Sequence, residues 1–194
     1  AVLREANALP EMCAQLCASQ EQCEGRCLEK IYSDNPIAIR DIQLAVCRAA
    51  RREGWAAVRL PARPSGRRAA VVGAGPAGLA CAIRLLELGH EVAVFERSAR
   101  LGGLPDNLIP VTRYDSATDE ADAILAPALA AGRLRIERER GLGNGLALKG
   151  LCAEYDAVFL GMGLRQGVSF GVAVGVVDAL TFLAQVKDGA ICLL

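Results

Sequence analysis

The stretch Ala69-Ala-Val-Val-Gly-Ala-Gly-Pro-Ala-Gly78 decides the fold class of this 194-residue chain. Its first four residues are apolar and predict a short buried strand, and the glycines that follow match the pattern G-x-G-x-x-G. A helix is predicted from Pro76 to about Leu88, with Gly89 as its left-handed C-terminal residue and an apolar stripe at helical spacing. Val92–Phe95 predicts a second strand. Strand, glycine turn, helix and strand together form one βαβ unit.

The glycines and Glu96 together predict a dinucleotide site. In such a loop the first glycine allows a tight turn, the second lets the backbone approach a pyrophosphate, and the third lets the helix pack closely. Glu96 ends the second strand, where a carboxylate can accept hydrogen bonds from both hydroxyls of a ribose. Because its charge repels a 2′-phosphate, the sequence predicts FAD or NAD at this site and not NADP.

A second glycine pair, Gly102-Gly103, follows soon after Glu96. By itself such a pair is most often a turn. After a complete dinucleotide unit it favours a flavin, since the chain there passes close to the phosphate and ribityl part of the cofactor. FAD is therefore the predicted ligand.

Eight cysteines are unusual for a chain of this length, and four of them are clustered as Cys13-x3-Cys17-x5-Cys23-x3-Cys27. A secreted disulfide scaffold would spread its bridges over the fold, so the cluster indicates metal or redox chemistry. The spacing is not one of the common zinc patterns. Iron–sulfur cluster, zinc site and redox-inert thiols all remain open from the spacing alone.

Composition changes along the chain predict its organisation. Residues 1–58 form a helical, cysteine-rich domain, 59–68 a proline- and arginine-rich linker, and 69–194 a Rossmann-type domain in an α/β fold. Lys+Arg and Asp+Glu are equal at 22 each, which gives no electrostatic reason to expect nucleic acid or an anionic membrane as a partner. We expect a cytoplasmic protein. Further elements are predicted as helices at Ile39–Ala50 and Asp119–Leu129, strands at Leu134–Ile136 and Asp156–Leu160, a turn at Gly141–Gly145, and strand plus helix in Val168–Val186.

A family resemblance covers nearly the whole chain. The sequence is similar to the N-terminal part of the NADPH-dependent glutamate synthase small (beta) subunit and to the module that opens dihydropyrimidine dehydrogenase. The motifs that carry the resemblance are Leu3-Arg-Glu-Ala-Asn7, Cys13-Ala-Gln-Leu-Cys17, Cys23-Glu-Gly-Arg-Cys27, Pro36-Ile-Ala-Ile39, the glycine loop up to Leu79, Val94-Phe-Glu96, Gly102-Gly-Leu104, Ile109-Pro110 and Tyr155-Asp-Ala-Val-Phe-Leu-Gly-Met-Gly163.

The resemblance implies a helical domain with two [4Fe-4S] clusters, followed by an FAD domain. It identifies Cys17, Cys23 and Cys27 as cluster ligands, Gln43 as an unusual non-thiolate ligand, and Cys13 as a recurrent cysteine that could substitute for a missing one. The cluster ligands should face a common space, whereas Cys81 and Cys152 should be ordinary buried thiols. The expected FAD-binding residues are Gly73, Gly75, Pro76, Ala77, Gly78, Glu96, Arg97, Gly102, Gly103, Leu104, Gly161 and Gly163.

Two departures from the family limit what these 194 residues should do alone. The family's first cysteine motif lies upstream of a sequence like Ala1–Asn7, so no cluster should have a complete ligand set here. The NADPH-binding domain of the family lies beyond Leu194, so no NADPH site is expected. No catalytic side chain is predicted, because the one histidine, His90, follows a helix end and no nucleophile–base pair stands out.

The predicted function is that of a flavin- and iron–sulfur-dependent oxidoreductase. By resemblance, electrons would pass from NAD(P)H through FAD and [4Fe-4S] clusters to a redox partner subunit or to further domains of the same protein. Two alternatives remain: a non-catalytic electron-transfer or assembly subunit, and an FAD- or NAD-binding module with a structural zinc.

Overall fold

The computed structural model of the chain describes residues 2–114, 118–164 and 176–190. Its N-terminal part is helical, and Pro10 occupies the first position of the second helix, where its missing N–H costs nothing. A 3₁₀ turn at Ser19–Glu21 lies between the second and third helices. The four helices are α1 at Val2–Ala6, α2 at Pro10–Leu16, α3 at Lys30–Ser33 and α4 at Ile39–Arg52.

A four-stranded parallel sheet follows, with strand order β3-β2-β1-β6. Its strands are β1 at Arg68–Val72, β2 at Glu91–Glu96, β3 at Leu134–Arg138 and β6 at Ala157–Leu160. Val72 lies opposite Phe95 on one side and Leu160 on the other, so three strands end at the same edge of the sheet. Two short strands, β4 at Gly141–Leu142 and β5 at Gly145–Leu146, pair separately.

Helices cover both faces of the sheet, as a parallel sheet requires. One face packs against α5 and α7 through residues such as Val71, Val94 and Leu125, and the other packs against Leu151 and Tyr155 around α8. The helices of this part are α5 at Pro76–Glu87, α6 at Leu104–Leu108, α7 at Thr118–Ala130, α8 at Leu148–Glu154 and α9 at Ala179–Lys187.

The predicted α/β class is confirmed, with a helical N-terminal part before a Rossmann-type unit. The predicted stripe on α5, formed by Leu79, Ile83 and Leu86, is fully buried, and Gly89 has φ +88°. The helix predicted at Asp119–Leu129 is α7, which continues past Pro127. The helical part of Val168–Val186 is α9, and the strand expected before it falls on residues that the structure does not describe.

The helical part shares a core with the Rossmann unit. Leu9, Met12 and Val58 are buried in the same apolar cluster as the α5 and α7 side chains. The Val58 N–H also donates to the carbonyl of Ile124 in α7 at 2.9 Å. The division at residues 59–68 stays a prediction, because these contacts cross it. None of the described helices has the length and apolar character needed to cross a membrane.

Candidate functional site

A cavity of about 700 Å³ opens at the carboxyl ends of β1, β2 and β6. This is the edge of an open parallel sheet at which ligands characteristically bind. Of the twelve residues predicted to bind a cofactor, ten line this cavity. The other two, Gly78 and Gly102, lie behind the wall: Gly102 donates its N–H to the carbonyl of Ala74 at 2.8 Å.

The glycine loop is packed too tightly for larger residues at two of its positions. Gly73 has φ +100°, and a Cβ added there would lie 2.4 Å from the carbonyl oxygen of Gly161. A Cβ on Gly78 would lie 1.8 Å from the carbonyl oxygen of Gly73. The loop therefore needs these glycines for its own folding, in the roles that the sequence predicted.

Gly75 is different, because the space where a side chain would lie is not filled by other protein atoms. With φ −73° and ψ −179° its backbone suits any residue, and an added Cβ would meet nothing nearer than the Gly103 Cα at 3.8 Å. The residue is the N-cap of α5 and carries no side chain that could cap the helix. The open space in front of the helix N-terminus is the geometry that accepts a phosphate group.

Gly103 forms the opposite side of this cradle. It has φ +65°, and a Cβ there would lie 2.7 Å from the Gly75 Cα. Asn107 in α6 holds it in place by donating its side-chain N–H to the Gly103 carbonyl at 2.7 Å. The two glycine motifs, separate in the sequence, thus form one narrow backbone cleft.

Glu96 is buried at the end of β2, with 5% of its surface exposed. One carboxylate oxygen accepts the Ala74 N–H at 2.7 Å and the other accepts the Ser98 N–H at 2.8 Å. A carboxylate oxygen has two acceptor positions, so each retains one for a ribose hydroxyl. The side chain therefore connects the glycine loop to the strand end and still faces the cavity, which it lines.

Part of the cavity wall was not predicted from the sequence. Residues Gly141–Asn144, predicted to be only a turn, form β4 and the turn into β5 and line the cavity near Arg97. The signal was present in the alternating glycines of Gly141-Leu-Gly-Asn-Gly145, but nothing local connects them to Glu96. The lining residues absent from the prediction are Val72, Phe95, Pro105, Gly141, Leu142, Gly143, Asn144, Leu160 and Met162.

The clustered cysteines are all free thiols. Cys17 and Cys27 are half-buried, while Cys13 and Cys23 are exposed. Among residues 2–114, 118–164 and 176–190, no three His, Cys, Asp or Glu side chains are grouped so as to hold a metal ion. The common space expected for the three cysteine ligands is therefore not formed, and their role, like that of Gln43 on α4, stays a prediction.

The cysteine loop is nevertheless fixed to α4 by protein contacts. Glu24, between Cys23 and Cys27, accepts the Ser19 hydroxyl at 2.7 Å and the backbone N–H of Arg40 at 3.0 Å. The Ser19 hydrogen bond is the main cause that lowers the pKa of Glu24. The prediction that Cys81 and Cys152 are buried thiols was wrong, since Cys81 is half-buried and Cys152 is exposed.

A second set of buried charges joins the helical part to the Rossmann unit. Glu120 of α7 accepts the backbone N–H groups of Glu11 at 2.7 Å and Met12 at 2.8 Å. Glu11 in turn pairs with Arg51 of α4 at 3.0 Å and 3.2 Å. Burial raises the pKa of Glu120, and it raises the pKa of the nearby Cys47 thiol to about 11.

Two family models match the chain in the regions just described. Residues 1–55 match the dihydropyrimidine dehydrogenase domain II, 4Fe-4S cluster family, and residues 71–106 match the NAD(P)-binding Rossmann-like domain. The first match covers the cysteine segment and the second covers the glycine loop, Glu96 and Gly102-Gly103.

Curated relatives extend the similarity over most of the chain. The Escherichia coli glutamate synthase [NADPH] small chain is 32% identical over 92% of this chain. Glutamate synthase [NADH] of Schizosaccharomyces pombe is 36% identical over 81% of the chain, and the Mycobacterium tuberculosis small chain is 43% identical over 53%. The chain spans 38%, 7% and 20% of the lengths of these three relatives.

Among solved structures, histamine dehydrogenase from Rhizobium sp. 4-9 matches 62% of this chain and 18% of its own, with TM-score 0.38 and 22% identity. That similarity is too low to carry an argument. Similarity to the glutamate synthases is carried by both the cysteine segment and the dinucleotide unit. Two further relatives at 32% identity, both from Escherichia coli, bear names that describe them as oxidoreductases. Over most of its length the chain is therefore a homologue of the glutamate synthase small chains, of which it matches a part.

Proposed function

We propose that this chain binds FAD in the cavity at the carboxyl edge of its sheet and serves in a flavin- and iron–sulfur-dependent oxidoreductase. The observation that carries the proposal is that Gly75 and Glu96 line the same cavity. Gly75 leaves an open cradle at the N-terminus of α5, and the Glu96 carboxylate faces the same cavity with acceptor positions to spare. Together they provide for a pyrophosphate and an adjoining ribose.

The remainder of the cavity favours a flavin over a second nucleotide. Besides the glycines and Glu96, the cavity is lined by the apolar residues Leu104, Pro105, Leu160 and Met162. Such a lining suits a large planar ring better than a charged ribose phosphate. The flavin would supply acceptance of a hydride and release of single electrons, while these residues bind it, orient it and shield it from water.

A redox partner is the second part of the proposal. The named relatives include small chains of glutamate synthase, a designation that implies another chain, and a much longer glutamate synthase from fission yeast. We propose that electrons leave this chain for a partner subunit or for further domains of the same protein, in the cytoplasm. The cysteine segment is the candidate site for a [4Fe-4S] cluster, although the described residues do not assemble one by themselves.

The experiment that tests the site is a titration of the purified chain with FAD, followed by quenching of flavin fluorescence. ADP should compete with FAD because it contains the pyrophosphate and the adenosine. FMN, which lacks both, should not compete. NADP should bind more weakly than NAD, because Glu96 repels its 2′-phosphate.

The sharpest variant is Gly75→Val, whose side chain would enter the cradle and whose Cβ would meet no protein atom nearer than the Gly103 Cα at 3.8 Å. It should fold normally and lose FAD binding. Gly150→Val is the matched control, because an added Cβ at Gly150 meets nothing within 4 Å and the residue lies in α8, outside the cavity. Unchanged FAD affinity in folded Gly75→Val would refute the site.

The cysteine segment needs its own measurement. After anaerobic reconstitution with iron and sulfide, equal amounts of bound iron and acid-labile sulfide would support a cluster at this segment. Both amounts should then be lower in a Cys17→Ser variant and unchanged in Cys152→Ser. Binding of zinc without sulfide would instead support a structural zinc module.

A further inference from the structure

We propose that Arg140 is a positioning residue for the adenine end of the dinucleotide. It holds the segment Gly141–Asn144, here called the adenine wall, against the cavity. The inference rests on the proposed FAD function, since it assigns one part of that same cavity. The adenine wall is not part of the G-x-G-x-x-G motif or of the Gly102-Gly103 motif, and it lies outside residues 71–106.

The order of groups in a dinucleotide locates the base. With the pyrophosphate at Gly75 and the ribose at Glu96, the base must extend beyond Glu96, on the side away from the cradle. Arg97 and the adenine wall line the cavity on that side. The apolar wall around Leu160 and Met162 lies with the other strand ends, where the flavin would be.

Arg140 connects three parts of this region. Its backbone N–H donates to the carbonyl of Glu96 at 3.0 Å, so it lies directly beside the ribose-binding residue. Its guanidinium donates to the carbonyl of Gly145, the residue that directly follows the adenine wall, at 3.0 Å. It also lies 5.7 Å from the ring centroid of Phe95. It also pairs with Glu137. A planar guanidinium can make these contacts at once, which a lysine cannot.

The adenine wall is itself a closed turn. The N–H of Asn144 donates to the Gly141 carbonyl at 2.9 Å, and the Gly143 N–H donates to the Leu146 carbonyl at 3.1 Å. Gly141 passes so close to Arg97 that an added Cβ would lie 3.0 Å from the Arg97 Cβ. The backbone of the turn is thus held against the residue that follows Glu96, and Arg140 fixes its other end.

The chain offers a matched control on β3, the strand that precedes Arg140. Arg135 also pairs with Glu137, at 3.0 Å, but its guanidinium donates to the Tyr155 hydroxyl at 2.7 Å and not to the adenine wall. Arg135 does not line the dinucleotide cavity. Substituting either arginine removes one ion pair with Glu137, so both variants should show any loss of stability that this ion pair causes.

The test compares ADP and UDP binding, by calorimetry, in the unaltered chain and in Arg140→Ala, Arg140→Lys and Arg135→Ala. The unaltered chain should prefer ADP. Arg140→Ala should weaken ADP binding about tenfold, because the Gly141–Asn144 turn, no longer fixed by Arg140, would have to become ordered when the ligand binds. The same variant should bind ADP and UDP with similar affinity. Arg140→Lys should recover only part of the preference, and Arg135→Ala should keep all of it.

A second variant keeps the test decisive if Arg140→Ala does not fold. Asn144 is exposed and lines the cavity, so Asn144→Ala should fold and should also lower the preference for ADP. Equal loss in Arg140→Ala and Arg135→Ala, or an unchanged ADP preference in Arg140→Ala and Asn144→Ala, would overturn this inference alone. Failure of the unaltered chain to bind any of FAD, ADP and UDP would overturn the proposed function as well.

Discussion

Glu120 accepts the backbone N–H of Met12 at 2.8 Å, joining residues 108 positions apart in the sequence. The same carboxylate accepts the adjacent N–H of Glu11, so both free donors at the start of α2 are bound by a side chain of the Rossmann unit. Cys13 lies on α2, and Cys17 directly follows the last residue of that helix. The Glu120 carboxylate is therefore one of the contacts, together with the shared apolar core, that hold the cysteine segment to the Rossmann unit.

Replacing Glu120 with alanine should destabilise the protein by about 3 kcal/mol. The substitution leaves two buried N–H groups without an acceptor and Arg4 with one fewer nearby negative charge. Urea unfolding followed by circular dichroism measures the loss. Asp122→Ala, at an exposed position on the same helix, is the control and should cost less than about 0.5 kcal/mol. Similar losses in the two variants would contradict the role of Glu120.

The pH dependence of stability should contain a contribution from Glu120. Burial raises its pKa, with the Glu11 charge acting in the same direction and Arg4 opposing it. An acid whose folded pKa is raised binds protons more tightly when folded, so its contribution to the free energy of unfolding falls as pH rises from about 4.3 through the folded pKa. The difference in unfolding free energy between wild type and Glu120→Gln should therefore decrease over that window. Parallel pH profiles would show that Glu120 does not titrate in this way.

The local pattern of the sequence was enough to predict the βαβ unit, because periodicity and the glycine spacing are both short-range signals. Glu96 could be predicted for the same reason: its position follows from where β2 ends. The contact between Glu120 and α2 could not be predicted, since Glu120 looks like any acidic residue in the first turn of a helix. The adenine wall could not be predicted, because Arg140 contacts Phe95 and Glu96, and Gly141 approaches Arg97, only once β2 and β3 have paired.

Glu96→Gln should lower stability before any ligand is bound. The carboxylate accepts one N–H on each oxygen, and an amide would turn its NH₂ group towards one of those donors. We expect a loss of about 1–3 kcal/mol in the free energy of unfolding, together with weaker FAD binding. Glu91→Gln, at the exposed start of the same strand, should change neither. A Glu96→Gln variant of unaltered stability would show that the link between the glycine loop and Ser98 is dispensable.

Gly103 and Gly132 provide the last test, because both have φ +65° but only one has a close neighbour. An alanine at either position is strained by the left-handed backbone, so each substitution should cost on the order of 1 kcal/mol of stability. At Gly103 the new Cβ would also lie 2.7 Å from the Gly75 Cα, whereas at Gly132 it would meet nothing within 4 Å. Gly103→Ala must therefore push the two glycine motifs apart and widen the cradle.

The two variants should differ in FAD affinity when affinity and the free energy of unfolding are both measured. Gly132→Ala should lose stability and keep its FAD affinity, because Gly132 lies between α7 and β3, away from the cavity. Gly103→Ala should lose more stability and at least tenfold in FAD affinity, since the backbone cleft no longer matches a pyrophosphate. If both variants bind FAD as tightly as the unaltered chain, the approach of Gly103 to Gly75 has no part in holding the cofactor, and the cradle would have to be formed by the first glycine motif alone.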